Sequence, residues 1–329
     1  MAGLIAVTGA NGFIGRELVN HLVLEGFAVR ALHRELEQLT VSGVEQCALG
    51  ELNADTDFRR ALADATVVVH LAARVEEVNE DDGEGYSSYE TVNTQATFNL
   101  ARTAAQLKVR RFIFLSTVKV NGEFTEEKPF SEGDEPRPSS PYALSKWKAE
   151  QGLHQIAQES GLEVVIVRSP LVFGPGVRGN FLRLMDLVER APVLPLGALD
   201  NRRSLVGLGN LTDMLARCIV HENAAGETFF VSDGRDLSVT ELIRLIASCL
   251  SRRCVLLYVP KRILKILASL TGRQEAVNRL TGSLRVDIGK ARRVLNWQPC
   301  RRIDTEMTRT VQWYKQMLLE KDGHHATGA

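Results

Sequence analysis

The sequence predicts an α/β protein with a doubly wound parallel sheet and a smaller, mostly helical lobe interleaved in sequence. Three observations support this fold class. Short apolar runs rich in β-branched residues alternate with longer helical patterns through the first half of the chain. A glycine-rich turn directly follows the first run. The second half has short, separated apolar runs interrupted by proline and glycine.

The elements follow from these patterns in order. Continuous apolar runs are typical of parallel strands buried on both faces, and apolar residues at helical spacing predict the helices that connect them. We predict strands at 4–7, 27–32, 67–71, 111–115, 164–167 and 227–232, and helices at 13–24, about 91–107, 142–159 and 208–221.

These elements predict two lobes. Residues 1–169 with returning segments at about 206–232 form the sheet lobe, and residues 170–205 and 233–321 form the second lobe. Residues 322–329 are predicted to be a flexible tail. Residues 76–90 are acidic, and we interpret them as a solvated loop, with a mobile flap over a site as the alternative. The amphipathic stretch 255–270 is interpreted as a lobe-packing helix rather than a membrane anchor.

Composition restricts the possible partners. The 329 residues hold 40 Lys+Arg and 40 Asp+Glu, so the zero net charge argues against nucleic acid as a partner. No apolar run reaches the roughly 20 residues of a membrane span. The five cysteines have no paired spacing, which indicates reduced thiols, no metal site and a cytoplasmic protein.

The glycine turn carries the first functional signal. Gly9, Gly12 and Gly15 lie between the first strand and the first helix. In that context the first glycine allows a sharp turn, the second lets a pyrophosphate approach the backbone, and the third lets helix and strand pack closely. Free N–H groups at the helix start attract the anion. The sequence therefore predicts a dinucleotide site.

A second motif carries the predicted chemistry. Tyr142 and Lys146 are four residues apart, so a helix places them on one face. Pro141 fits the first turn of such a helix, and Ser139-Ser140 can cap it. An ammonium group beside a phenol stabilises its phenolate form. We predict that Tyr142 exchanges a proton with the substrate.

These motifs together resemble the extended short-chain dehydrogenases, the NAD-dependent epimerase/dehydratase family. The resemblance runs from Gly9 to the Leu295–Pro299 segment. It implies a Rossmann sheet, an NAD(P)-dependent enzyme and a homodimer formed by the helices near 91–107 and 142–159. Position by position, it assigns cofactor contacts to Gly9, Asn11, Gly12, Phe13, Ile14, Gly15, Arg34, Glu51, Leu52, Leu71, Ala72, Ala73, Asn93, Ser116, Tyr142, Lys146 and Pro170.

The nicotinamide form is predicted from the end of the second strand. An NAD site usually has a carboxylate there, whereas this chain has Leu32-His33-Arg34. Because Arg34 can bind a 2′-phosphate, the sequence favours NADP. Glu35 next to it keeps NAD open as the alternative.

The resemblance also implies a UDP-sugar substrate. It assigns Arg203 and Asn180 to the diphosphate and Lys119 to the substrate. It also implies that Thr117, just after the 111–115 run, is a catalytic residue that donates a hydrogen bond to the substrate oxygen. Family dehydratases follow the catalytic Thr with Asp and Glu, where this chain has Val118 and Lys119, so dehydration is disfavoured. We favour NAD(P)H-dependent reduction of a UDP-4-keto-6-deoxy-HexNAc type substrate. The alternative is a UDP-hexose or UDP-HexNAc 4-epimerase with bound NAD, and a third reading is a non-enzymatic dinucleotide-binding regulator.

Overall fold

The computed structural model describes residues 3–35, 41–75, 88–270 and 274–326. The greater part of the predicted acidic loop at 76–90 lies outside the described residues, and so does the end of the tail at 327–329. The last helix continues to Ala326, so it includes part of the segment predicted as a flexible tail.

A parallel sheet of seven strands forms the centre of the molecule, in the order β10-β6-β5-β4-β1-β2-β3. This confirms the predicted fold class. The main sheet and two small two-stranded sheets, β7–β9 and β8–β11, account for the named strands. Their bounds are β1 Leu4–Thr8, β2 Val29–His33, β3 Glu45–Ala48, β4 Ala65–His70, β5 Arg111–Thr117, β6 Glu163–Ser169, β7 Leu171–Phe173, β8 Val193–Leu194, β9 Leu205–Gly207, β10 Thr228–Phe230 and β11 Val255–Leu256.

Helices connect the strands and cover both faces of the sheet. A π-helical segment, Glu90–Gln95, leads into α3, and a 3₁₀ turn, Val118–Val120, follows β5. The α-helices are α1 Phe13–Leu24, α2 Arg59–Leu62, α3 Ala96–Gln106, α4 Pro141–Ser160, α5 Gly179–Arg190, α6 Leu208–Val220, α7 Val239–Leu250, α8 Lys261–Leu270, α9 Gln274–Thr281, α10 Gly289–Leu295 and α11 Ile303–Ala326.

The hydrophobic core is divided into three clusters. Two of them cover the faces of the main sheet, and the third lies among α5, α7, α11 and the strands β7 and β9. Trp297 packs in a sheet cluster, and its indole N–H donates to Asp213 at 2.6 Å. Helix α8 begins after Pro260, later than the predicted helical stretch. Among the described residues, no helix is long and apolar enough to cross a membrane.

The amino-terminal ends of β5 and β6 are joined by an ion pair. Arg111 is almost fully buried, and its Nη2 lies 2.7 Å from Glu163 Oε2. Nη1 of the same guanidinium donates to the carbonyls of Cys218 and His221 at the end of α6. Arg111 therefore fastens α6 to the edge of the sheet opposite the strand ends that carry Thr117 and Ser169.

The third cluster contains a pair of stacked rings whose loss should weaken the fold. Phe181 in α5 is buried and stacks on Phe173 with ring centroids 5.5 Å apart. Replacing Phe181 with Ala leaves a cavity, so we expect a loss of about 3–5 kcal/mol in the free energy of unfolding by urea titration. Leu187→Ala changes an exposed position of the same helix and should cost about 0.5 kcal/mol or less. Equal losses for the two variants would contradict this packing.

Candidate active site

The carboxyl ends of the central parallel strands bring most of the predicted site residues to one edge of the sheet. Strand β1 ends at Thr8, β4 at His70, β5 at Thr117 and β6 at Ser169. The glycine turn follows β1 directly, and helix α4 packs against β5 and β6. Ligands of doubly wound sheets bind at this edge.

The glycine turn has the backbone geometry that its sequence predicts. Gly9 has φ +65°, a conformation that favours glycine, and a Cβ there would lie 2.9 Å from the backbone N of Ala72. A Cβ on Gly15 would lie 2.0 Å from Gly9 O, so only glycine permits this approach of α1 to the turn. The turn therefore packs against both α1 and the segment after β4.

The amino end of α1 fits a pyrophosphate. Gly12 is the exposed N-cap, no side chain caps the helix, and the first turn contains no acidic residue. The first-turn amides of Phe13 and Ile14 have no acceptor within the helix, and Asn11 precedes them in the turn. This cradle of glycines and uncapped N–H groups suits the dinucleotide that the motif predicts.

A buried chain of hydrogen bonds, which the sequence analysis did not predict, connects the end of β1 to the neighbouring strand β4 and to α3. Thr8 Oγ1 accepts the backbone N–H groups of Leu71 and Ala72 and lies 2.7 Å from His70 Nδ1. His70 Nε2 lies 2.9 Å from Thr97 Oγ1, which donates to the carbonyl of Asn93 at 2.7 Å. Since Thr8 accepts two N–H groups, its hydroxyl donates to Nδ1 and the imidazole proton is on Nε2.

His70 is neutral in this chain. Burial, with the nearby ammonium of Lys146, lowers the pKa of its imidazole to about 3. The ring also stacks on Phe114 with centroids 5.8 Å apart. His70 is thus fixed as one tautomer by its two threonine neighbours, which suits a structural connection between β1, β4 and α3.

Asn93 braces the site from the π-helical segment. Its amide exchanges hydrogen bonds with the backbone of Arg74, with Arg74 N donating to Oδ1 at 2.8 Å and Nδ2 donating to the carbonyl at 3.0 Å. Nδ2 also lies 3.0 Å from Ser145 Oγ in α4. Asn93 therefore connects Arg74, which directly follows the predicted cofactor contacts Leu71–Ala73, to the helix that carries Tyr142 and Lys146.

Helix α4 begins as its sequence predicts. Ser140 is the N-cap and accepts from Ala143 N at 3.2 Å, and Pro141 occupies the first turn. Tyr142 is half-buried, and its ring meets that of Tyr89 edge-on at 6.2 Å between centroids. Lys146 follows one turn later, so the phenol and the ammonium group leave the same face of the helix.

Lys146 is buried at the centre of the site. Its ammonium group donates to Leu115 O at 2.9 Å and lies 4.4 Å from the ring centroid of Phe114. Burial lowers the pKa of Lys146 to about 7, an effect that the carboxylate of Glu150 partly opposes. The group can therefore gain or lose a proton near neutral pH.

A second hydrogen-bond network, which the sequence analysis did not predict, contacts the end of β5. Thr117 is buried and caps the 3₁₀ turn that follows it. Ser116 Oγ donates to Glu150 Oε1 at 2.5 Å, and Arg168 donates to both oxygens of the same carboxylate. Arg168 Nη1 also donates to Asn121 Oδ1 at 2.9 Å. Such long-range contacts have no signal in local sequence patterns.

At the ends of β2 and β3, Arg34 has an acidic neighbour. Its Nη1 lies 3.2 Å from Glu51 Oε1, and both side chains are exposed. Leu52 packs partly against the sheet cluster beside them. The predicted phosphate-binding cation is therefore paired with a carboxylate that was itself predicted to contact the cofactor.

The predicted substrate residues are only partly brought together. Lys119 Nζ lies 3.4 Å from Glu123 Oε1, and the charge of Glu123 also acts on Arg203. Arg203 is half-buried and donates to Gly282 O at 3.2 Å, and burial lowers the pKa of its guanidinium. Asn180 is exposed in the first turn of α5. Pro170, buried, directly follows β6.

Comparison with known proteins agrees with this geometry. Residues 5–232 match the model of the "NAD dependent epimerase/dehydratase family". The chain belongs to this family, as its motifs predicted, and it is an enzyme of the extended short-chain dehydrogenase type.

Individual relatives include two named epimerases. The chain is 40% identical over 315 residues to a UDP-glucose 4-epimerase of Vibrio cholerae, with 95% of each chain covered. It is 26% identical over 286 residues to the N-acetyl-alpha-D-glucosaminyl-diphospho-ditrans,octacis-undecaprenol 4-epimerase of Escherichia coli O157:H7, which covers 83% of this chain and 82% of the relative.

Solved structures share the whole fold. MoeE5 in complex with UDP-glucose and NAD superposes with a TM-score of 0.77 at 25% identity, covering 96% of this chain and all of the other. The UDP-glucuronic acid 4-epimerase of Bacillus cereus, in complex with NAD, has a TM-score of 0.77 at 21% identity, covering 95% and 99%.

The low pKa of Lys146 makes a prediction about stability. In the unfolded chain this amine has a pKa of about 10.5, so between pH 7 and 10 the unfolded state keeps a proton that the folded state loses. The free energy of unfolding of the protein should therefore rise relative to that of Lys146→Met, by about 1.4 kcal/mol per pH unit. Urea titrations of both proteins at several pH values measure this difference, and a pH-independent difference would contradict the buried, shifted amine.

Proposed function

We propose that this enzyme is a UDP-sugar 4-epimerase that retains NAD through its catalytic cycle. The 40% identity to a UDP-glucose 4-epimerase, extending over 95% of both chains, is the observation that carries the proposal. The site agrees with it, since Tyr142, Lys146 and Thr117 all lie at the carboxyl edge of the sheet.

The comparisons favour epimerisation over the net reduction that the sequence suggested. Both reactions need hydride transfer at C4 and a proton exchange at O4, so the catalytic residues alone do not separate them. The two relatives described above are 4-epimerases, and the UDP-glucose 4-epimerase is 40% identical to this chain. The preference for net reduction therefore has weaker support than its alternative.

The cofactor proposal also moves from NADP to NAD. The family description names NAD, and MoeE5 was solved with NAD. At the adenosine end, the Glu51 carboxylate that pairs with Arg34 would repel a 2′-phosphate. The glycine turn from Gly9 to Gly15 would hold the pyrophosphate, with Leu71–Ala73 and Lys146 toward the nicotinamide end. When bound, NAD supplies the reversible uptake of a hydride from the sugar carbon.

The protein's own groups would manage the proton at O4. Tyr142, as phenolate, would accept the proton of the 4-hydroxyl. It would return that proton to O4 when the 4-keto carbon is reduced again. Thr117 would donate a hydrogen bond to that oxygen in both directions. Lys146, one turn beyond Tyr142 and buried, would stabilise the phenolate by its positive charge.

The nucleotide would be bound on the lobe side of the cleft. Arg203 is half-buried beside Glu123 and carries a localised positive charge, which suits a diphosphate. Lys119 forms an ion pair with the same Glu123 whose charge acts on Arg203, and Lys119 lies two residues from Thr117. Asn180 would contribute an amide from the start of α5. Inversion at C4 further requires the sugar to turn between the two hydride transfers, while the diphosphate stays bound.

An assay without added nicotinamide tests the proposal. The purified enzyme is incubated with UDP-galactose, and separately with UDP-N-acetylgalactosamine, and the products are separated by chromatography. We expect interconversion with the 4-epimer and no net change in reduced-nicotinamide absorbance. A parallel assay contains added NADH or NADPH and a UDP-4-keto-6-deoxy sugar. Consumption of the reduced cofactor in proportion to that sugar, with no interconversion of the 4-epimers in the first assay, would replace the epimerase with the reductase.

The phenol of Tyr142 should be essential for turnover but not for folding. Tyr142→Phe removes the proton acceptor, so we expect turnover to fall by about 10²–10⁴-fold while the amount of NAD released from the denatured protein stays unchanged. Tyr258→Phe, at a highly exposed position, is the matched control and should retain full activity. Normal turnover in the Tyr142 variant would refute the assigned role.

A further inference from the structure

The buried network beneath Thr117 contains a carboxylate that the mechanism above does not use. Glu150 lies one turn after Lys146 on α4, and its side chain is fully buried. Side chains four residues apart on a helix are neighbours on one face. Glu150 is therefore adjacent to the lysine that the reaction requires.

The carboxylate of Glu150 is held by residues from two strands. From β5, Ser116 donates to Oε1 at 2.5 Å. From β6, Arg168 donates through Nε to Oε1 and Oε2 at 3.1 and 3.2 Å, and through Nη2 to Oε2 at 2.5 Å. Both oxygens therefore accept hydrogen bonds, and those from Arg168 come from a charged donor.

Arg168 extends the network beyond Glu150. Its Nη1 donates to Asn121 at the end of the 3₁₀ turn after Thr117. Its guanidinium carbon also lies 5.9 Å from the ring centroid of Trp147. Ser116 precedes Thr117, and Asn121 follows it by four residues. The network therefore forms hydrogen bonds to the chain on both sides of Thr117.

We propose that Glu150 is a positioning residue of this active site: held by Arg168, it fixes the strand end that carries Thr117 and supplies the negative charge that keeps Lys146 protonated. Only the measurement of turnover depends on the proposed epimerase function. The charge of Lys146 can be measured without substrate. The carboxylate does not itself touch the reacting atoms.

The groups that surround Lys146 define the charges involved. From β4, His70 approaches as a neutral imidazole. From β5, Leu115 presents its carbonyl and Phe114 its ring face. On α4 itself, Tyr142 is one turn before Lys146 and Glu150 one turn after. Among the described groups named here, Glu150 contributes the negative charge that acts on the ammonium group, and Arg168 contacts that carboxylate from β6.

Glu150→Gln tests the role through the protonation of Lys146. Substrate-free protein labelled with ¹³C and ¹⁵N in its lysines is titrated by NMR, and the Lys146 signal is assigned with a Lys146→Arg variant. Loss of the neighbouring carboxylate should move the pKa of Lys146 from about 7 to lower pH by about one to two pH units. The decline in turnover at high pH should move by the same amount, so activity is partly recovered at lower pH.

Glu163→Gln is the matched control. It removes the carboxylate partner of another buried arginine, Arg111, between the same two strands but at their opposite ends. This variant should lose stability, while the titration of Lys146 and the pH profile stay as in the unchanged protein. A merely structural role for Glu150 would give the same result in both variants.

Two outcomes overturn the proposal. One is an unchanged pKa of Lys146 in folded Glu150→Gln, and the other is an equal shift in Glu163→Gln. If Glu150→Gln does not fold because Arg168 is left unpaired, the double variant with Arg168→Met removes both charges. The pKa of Lys146 should still move to lower pH, but by less than in Glu150→Gln, because the positive charge of Arg168 is lost as well. An unchanged pKa of Lys146 in the double variant would also contradict the proposal. Absence of epimerase activity in the unchanged protein would refute the proposed function but not this role.

Discussion

The active site depends on keeping one amine buried. Lys146 lies beneath the carboxyl edge of the sheet, against the Leu115 carbonyl and the Phe114 ring. Burial opposes its charge, and the neighbouring carboxylate favours it, so the pKa settles near neutrality. A fully solvated lysine would stay charged but would be screened by water, whereas an uncompensated buried lysine would be neutral. Lys146 lies one turn after Tyr142 on α4, so both side chains leave the same face of the helix.

The surrounding structure fixes this geometry through buried polar connections rather than apolar packing alone. The chain Thr8–His70–Thr97 joins the glycine turn to the start of α3. Asn93 then joins the segment after β4 to Ser145 on α4. The glycine turn and α4 are therefore connected by one network of buried hydrogen bonds.

The sequence predicts the local features of this arrangement well, because their causes are local. The Ser140 cap, the spacing of Tyr142 and Lys146, and the glycine positions each follow from backbone geometry or helical periodicity. Buried apolar runs likewise predicted the central strands to within a few residues. The lobe boundaries, the homodimer and the cytoplasmic location stay predictions.

The missed features arise from contacts between residues distant in sequence. His70 reads as the end of a strand, and nothing nearby indicates its two threonine partners. Glu150 lies within a predicted helix and Arg168 directly follows a predicted strand. Neither pattern indicates that the two side chains form a buried ion pair. Arg34 was interpreted without Glu51, 17 residues away, which weakens the case for NADP. These pairs form only when the chain folds, and the hydrophobic periodicity of the sequence does not indicate them.

The proposed epimerase runs a closed redox cycle at C4 of a UDP-sugar, beside Tyr142 and Lys146. UDP-galactose deuterated at C4 tests this cycle most directly, with products analysed by mass spectrometry and NMR in the presence of excess free nicotinamide cofactor. We expect UDP-glucose to form with deuterium retained at C4. Deuterium transferred to free nicotinamide, or retained at C4 in unchanged UDP-galactose alone, would contradict it.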